Sequence, residues 1–352
     1  MLTYWMMYLM PAWAAVAQPR IRAAPRLGPE WVLAWLALTL LIGYRFQVGA
    51  DWGSYANAVY WASGRSLGEL LTGSDPAYAL LNWLAWHLGW SIHGVNLACG
   101  ALFGLGLIVF CRQQPRPWLA MAVAMPYLVI VVAMGYSRQG VAIGLAMLGL
   151  AALAHKSTVR FVAWVALATL FHKSAVVLLP LAIIVARRGL WWTAAWVGTT
   201  AALIFALLVE AHTDTFVRTY LAAEYASQGA AIRVAMNALP AAVFLAFRRR
   251  LAPDRHLRRL WTWMALMALA TVVLVVISPS SAAVDRIALY VIPIQIFVFA
   301  RLPDLGGSDR DMTAIFVFAI LAFYGVVLGV WLNFASHAFA WLPYRFYLLE
   351  PF

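Results

Sequence analysis

The chain has 352 residues, 65% of them hydrophobic and only 11% charged, with a formal net charge of +12. A mean hydropathy of +0.83 excludes an ordinary soluble domain, and the apolar stretches lack the period-two alternation of a membrane barrel, which leaves helices as the spanning solution. The positive charge does not call for nucleic acid, because the cations sit in short clusters between apolar runs, as the positive-inside rule expects.

Residues 2–16 read as a short first membrane helix. Ala15-Val16-Ala17 has the form of a signal-peptidase site, but no basic region precedes it. A basic loop with Arg20, Arg22 and Arg26 leads into a second helix over residues 30–44, ending at Arg45. Residues 47–75 read as the first sizeable polar loop. Residues 76–90 are apolar and aromatic but short, and predict an interfacial or re-entrant helix that opens at its proline. A span over residues 92–110 is followed by a basic turn at Arg112 and Arg116.

Residues 117–133 and 140–154 form a hairpin whose tip is Gly135-Tyr136-Ser137-Arg138-Gln139. A guanidinium so close to hydrocarbon costs a few kcal/mol, so Arg138 must snorkel, face a wet cavity or bind an anion. Residues 161–186 carry Phe171-His172-Lys173-Ser174 in their middle. Two half-length helices meeting at a tip keep that pair out of the bilayer centre, and broken helices are allowed where the backbone lines a cavity. Spans follow at residues 190–209, 232–247, 260–277, 287–300 and 313–332. A polar loop covers 210–231, and the most basic run covers 248–259.

Placing the basic turns on the cytoplasmic side assigns 17 of the 25 Lys and Arg to it. Arg45, Arg65, Arg138, Lys173, Arg218, Arg233, Arg286 and Arg345 fall on the outer side. The alternation requires about twelve short crossings, ten at the fewest, with both termini outside. The expectation is a single all-α polytopic membrane domain over residues 1–352, with some helices short or broken and a cavity on its outer face.

That face collects Arg45, Asp51, Tyr55, Arg138, Gln139, His172, Lys173, Asp285 and Arg286. Fixed cations with a histidine and carboxylates among them make an anion site, and arginine forks match phosphate oxygens. The bland alternatives are snorkelling anchors for Arg45 and Arg286, a local pair for Asp285 with Arg286, and a turn residue for Asp51. His87, His93, His155, His212, His256 and His337 show no partner spacing and read as structural. Cys99 and Cys111 lack metal-ligand spacing and read as apolar fillers. There is no Walker-type loop, no His-Glu-x-x-His helix and no Gly-x-Ser-x-Gly elbow. No cofactor and no metal are expected.

The motifs together resemble the EpsG family of bacterial exopolysaccharide polymerases, which are similar in role to Wzy-type polymerases. The matching stretches are Arg45 with Val48-Gly49-Ala50-Asp51 and Tyr55, then Asp75-Pro76-Ala77-Tyr78 leading to Leu81-Asn82. Ser137-Arg138-Gln139 with Ala142, Phe171-His172-Lys173-Ser174-Ala175 with Pro180, and Asp285-Arg286 with Tyr290 follow in order, before Pro343-Tyr344-Arg345. Asp75 stands where a glutamate is expected, and Ala77 replaces a glycine.

The resemblance implies a polymerase joining repeat units carried on undecaprenyl pyrophosphate, at the periplasmic face of the inner membrane. Its partners would be that lipid-linked oligosaccharide, membrane lipids, and chain-length and export proteins. On this reading Arg138 clamps the donor pyrophosphate, with Arg45, Arg286 and Lys173 assisting, in a metal-independent glycosyl transfer. His172 is the first candidate base and Asp51 the second, while Gln139, Tyr55 and Asp285 help to orient substrate. A flippase for lipid-linked oligosaccharide, or a lipid-linked glycan ligase or acyltransferase, would use the same cations.

Overall fold

A computed structural model describes residues 1–18, 28–73, 75–185, 189–208, 229–278 and 280–350. Arg20, Arg22, Arg26, Arg187, Arg188, His212 and Arg218 lie outside the described residues, as does most of the polar loop expected at 210–231. Among the described residues all regular structure is helical, and one isolated bridge joins Arg45 to Phe346.

Five helices are long and apolar enough to cross a membrane: Ser91–Arg112, Ser137–Ala154, Ala230–Leu251, Arg255–Ile277 and Arg310–Phe334. Ser281–Val291 and Pro293–Gly306, bent by 41°, make a sixth if they act as one span. Shorter apolar helices are Pro29–Gly43, Pro117–Ala133, Thr158–Phe171 and Lys173–Val185. The chain is an all-α, multi-pass membrane protein. The expected interruption at residues 171–174 is present: His172 adopts an extended backbone (φ −157°, ψ 110°) between Thr158–Phe171 and the 3-10 turn Lys173–Leu178.

Residues 47–75 depart from the expected loop. They contain the helices Trp52–Ala62 and Leu67–Leu71. Tyr55, Val59 and Ala62 recur at i, i+4 and i+7, and all three are buried on one face. Ser66 and Glu69 form a reciprocal capping box that starts the second helix. With Pro76–His87, which begins at its proline as predicted, these helices form a cap beside the hairpin tip.

Small residues and satisfied polar groups set the packing beneath the cap. Ser91–Arg112 and Ser137–Ala154 approach so closely that a Cβ on Gly144 would lie 2.6 Å from the Cα of Phe103. Across three other helices, Gln295 donates to Asn237 Oδ1 at 2.6 Å and Tyr324 donates to Gln295 Oε1 at 2.8 Å. Asn237 in turn donates to the Ala288 carbonyl at 2.9 Å, so this buried polar chain is closed on itself.

The hairpin arm before the tip is α-helical over Pro117–Ala124 and π-helical over Met125–Ala133. A widened turn leaves carbonyls available. The Trp341 indole uses one, donating to the Ile130 carbonyl at 2.8 Å. Leu2–Ala17 is an integral packing element, since the hydroxyl of fully buried Tyr4 donates to the Trp341 carbonyl at 2.7 Å. These contacts bring the N-terminal helix and the 338–346 segment to the end of the bundle that carries Arg45 and Arg138.

Candidate active site

The hairpin tip is pinned from several sides. Gly135 packs so tightly under Trp341 that an added Cβ would lie 2.5 Å from its ring. Helix Ser137–Ala154 starts two residues later, which places Arg138 in its first turn at the cap. Arg138 Nη1 donates to Asp75 Oδ2 at 2.6 Å, its side chain 43% exposed and that of Asp75 10% exposed. The guanidinium carbon also stands 5.9 Å from the ring centres of both Tyr55 and Tyr78.

Asp75 is the N-cap of Pro76–His87, and the backbone N–H of Lys173 also donates to its carboxylate. Burial pushes the Asp75 carboxyl above the usual carboxylate range, with Arg138 and Lys173 opposing but not reversing it. Sequence reasoning named Asp75 only as part of a motif, in which it stands where a glutamate is expected. The ion pair makes it a member of the site.

His172 sits at the break between its two helices, half-buried, with the hydroxyls of Ser174 and Tyr290 at 2.5 Å and 3.2 Å from Nδ1. Burial first, then Arg138, Arg286 and Lys173, push its pKa down to about 3. Three of the predicted cations therefore converge electrostatically on one imidazole. A pKa so depressed leaves the imidazole neutral at neutral pH and a weak proton acceptor, which weighs against His172 as the base. A hydroxyl donating to Nδ1 would place the ring proton on Nε2 and make the imidazole a donor.

Other predicted residues are placed differently. Arg45 is 0% exposed, and its guanidinium donates to Asn96 Oδ1 at 3.0 Å, to Ser137 Oγ at 2.7 Å and to the Ile42 carbonyl. It braces the start of the Arg138 helix and is not among the residues that line the cavity beside Arg138. Gln139 is 4% exposed and donates to the Arg286 carbonyl at 2.7 Å, so it ties two elements together and is closed to substrate. Asp285 pairs bidentately with Arg233, at 2.5 and 2.7 Å. Arg233 is 52 residues away in the chain, and no local signal pointed to it. Asp51 caps Trp52–Ala62 without a side-chain cap bond and lies outside the cavity lining.

A cavity of about 390 Å³ opens beside the Arg138–Asp75 pair, between the cap helices. Tyr55, Trp61, Arg65, Glu69, Tyr78 and Asn82 line it together with the pair. Trp61 is 66% exposed at its rim. The Tyr78 hydroxyl and Asn82 Oδ1 are buried with no hydrogen-bond partner among the described residues. Orphaned polar atoms beside an ion pair and exposed aromatic surface suit a polyhydroxylated anion.

The model of the EpsG family matches residues 31–346, nearly the whole chain. The chain belongs to the EpsG family. No curated protein and no solved structure matches it. EpsG membership supports an exopolysaccharide polymerase-like function of glycosyltransferase type. The EpsG match spans every element of the site, from the helix before Arg45 to the bridge at Phe346.

Proposed function

We propose that this protein polymerises an exopolysaccharide by moving a growing glycan from undecaprenyl pyrophosphate to a hydroxyl of another lipid-linked repeat unit. The reaction would take place at the periplasmic face of the bacterial inner membrane. The observation that carries the reading is the Arg138–Asp75 pair at the mouth of a sugar-sized cavity, with Lys173 and Arg286 beside it.

Arg138 keeps further N–H groups beyond the one given to Asp75, so it can hold a phosphate oxygen while staying paired. Lys173 and Arg286 add the charge that a diphosphate needs, which is why the reaction is proposed to run without metal. Asp75 takes the acceptor proton, because its raised pKa brings it closer to working pH than an ordinary carboxylate. The acceptor oxygen bonds to the anomeric carbon as the bond from that carbon to the pyrophosphate oxygen breaks. The proton goes to Asp75, and lipid pyrophosphate leaves against Arg138, Lys173 and Arg286. Trp61 supplies an exposed stacking face for the sugars at the rim of the cavity.

The test is transfer between defined donor and acceptor units with a chelator present. Elongation in the chelator supports the cation-only site. Elongation that requires added divalent metal overturns it.

A further inference from the structure

The opposite end of the bundle holds a second, larger cavity of about 620 Å³ that the proposed glycosyl transfer does not use. It lies where Ser91–Arg112 and Ser137–Ala154 finish, against Arg255–Ile277 and Pro293–Phe299. Along the helix, Arg138 and the lining residue Ala154 are about 24 Å apart, most of the thickness of a bilayer core.

Its lining divides into two parts. Val109, Leu150, Ala154 and Leu257 form an apolar wall facing the helix interior. Arg112, Lys156 and Arg301 bring three cations to a lining that holds one carboxylate, Asp254, which also accepts the Leu257 N–H at 2.9 Å. Arg301 is held in place by Gln114 Oε1 and the Phe297 carbonyl, with its guanidinium 3.7 Å above the Phe297 ring. Lys156 sits in a left-handed turn (φ 63°) just past the helix end, exposed at the rim.

Two ligand types could satisfy a phosphate here, a free nucleotide or a lipid head group. The aromatic faces argue against a nucleobase. Trp261 and Phe297 stack on each other at 3.9 Å, and they are 2% and 1% exposed, so no slot remains for a third ring. A cationic rim above an apolar wall, at the end of membrane-crossing helices, matches a phosphodiester with an acyl chain beneath it.

We propose that this cavity binds the phosphodiester of an anionic membrane phospholipid, with one acyl chain along Val109, Leu150 and Ala154. The site is independent of the glycosyl-transfer assignment and stands or falls separately from it.

The experiment is native mass spectrometry of the purified full-length protein titrated with dioctanoyl phosphatidylglycerol, dioctanoyl phosphatidylcholine or inorganic phosphate. The structure predicts one saturable phosphatidylglycerol adduct, weaker or absent for phosphatidylcholine. Arg112→Gln with Lys156→Gln should weaken it about thirtyfold, the loss expected for two cations near a lipid phosphate. Ala154→Phe, which fills the apolar wall and keeps the cations, should remove the lipid adduct as well, and melting curves of both variants check that they fold. Equal binding of both lipids, or a phosphatidylglycerol adduct unchanged in both variants, overturns the proposal. Inorganic phosphate binding that survives Ala154→Phe, with no preferential lipid adduct, overturns the lipid assignment in favour of a free-phosphate site.

Discussion

Asp75→Asn separates the two halves of the proposed chemistry. Asn keeps an acceptor for the Lys173 N–H and nearly the same volume, but it loses the negative charge and the proton acceptor. Structurally the change is mild. Arg138 is 43% exposed, so water can replace the lost partner, and the cost to stability should be about 1 kcal/mol or less. Catalytically it is severe, since loss of a positioned general base lowers turnover by about 10²–10⁴-fold. Donor binding should hold or improve, because Arg138 is released from its carboxylate. The assay is steady-state elongation of a defined lipid-linked unit, alongside binding of the lipid pyrophosphate alone. Wild-type turnover should fall as pH drops through the Asp75 pKa, which lies above the ordinary carboxylate range, because only the ionised form accepts a proton. Turnover within about tenfold of wild type, or an acid limb unchanged in the variant, would refute Asp75 as the base.

His172→Gln should lower turnover without moving the pH profile, because the imidazole is already neutral across the working range; a lost limb near neutrality would restore it as the base. Arg45→Ala should destabilise the folded protein by about 3 kcal/mol, since Ser137 and Asn96 lose their buried partner, and thermal melting in detergent reads this directly. An unchanged melting temperature with weakened donor binding would instead return Arg45 to the substrate. Gln139→Ala should reduce donor affinity about threefold by loosening the Arg286 segment, seen in the same binding assay; unchanged affinity would leave that tie purely structural.

The helical plan was largely readable, because apolar runs bounded by cations have few other solutions. The break at His172 was readable for the same reason: two polar residues inside an apolar run cannot both face lipid. The fates of Arg45 and Arg138 were not. Each ends an apolar segment, with the same local signature, yet one is sealed beneath the helix start and the other faces a cavity. The difference comes from Trp341 and the 338–346 segment closing over the bundle end, contacts made by residues some 200 to 300 positions away. Asp75 was passed over because it stands where a glutamate is expected, and its pairing with Arg138, 63 residues on, has no local signal. Arg233 had no signal at all, because pairing with Asp285 depends on how two distant helices pack. The cap helix Trp52–Ala62 was missed: the Gly, Asp and Ser around it read as a loop and outweighed the helical spacing of Tyr55, Val59 and Ala62.

The central claim is that this membrane surface performs glycosyl transfer around Arg138. The most direct measurement is incubation of the purified protein, in detergent or nanodisc, with a chemically defined undecaprenyl-pyrophosphate repeat unit, the products being sized on a gel beside Arg138→Ala. A ladder of lipid-linked multimers from wild type that is lost in the folded variant is the predicted result. An unchanged ladder from Arg138→Ala, or no ladder with intact lipid moving across a vesicle bilayer instead, would contradict it.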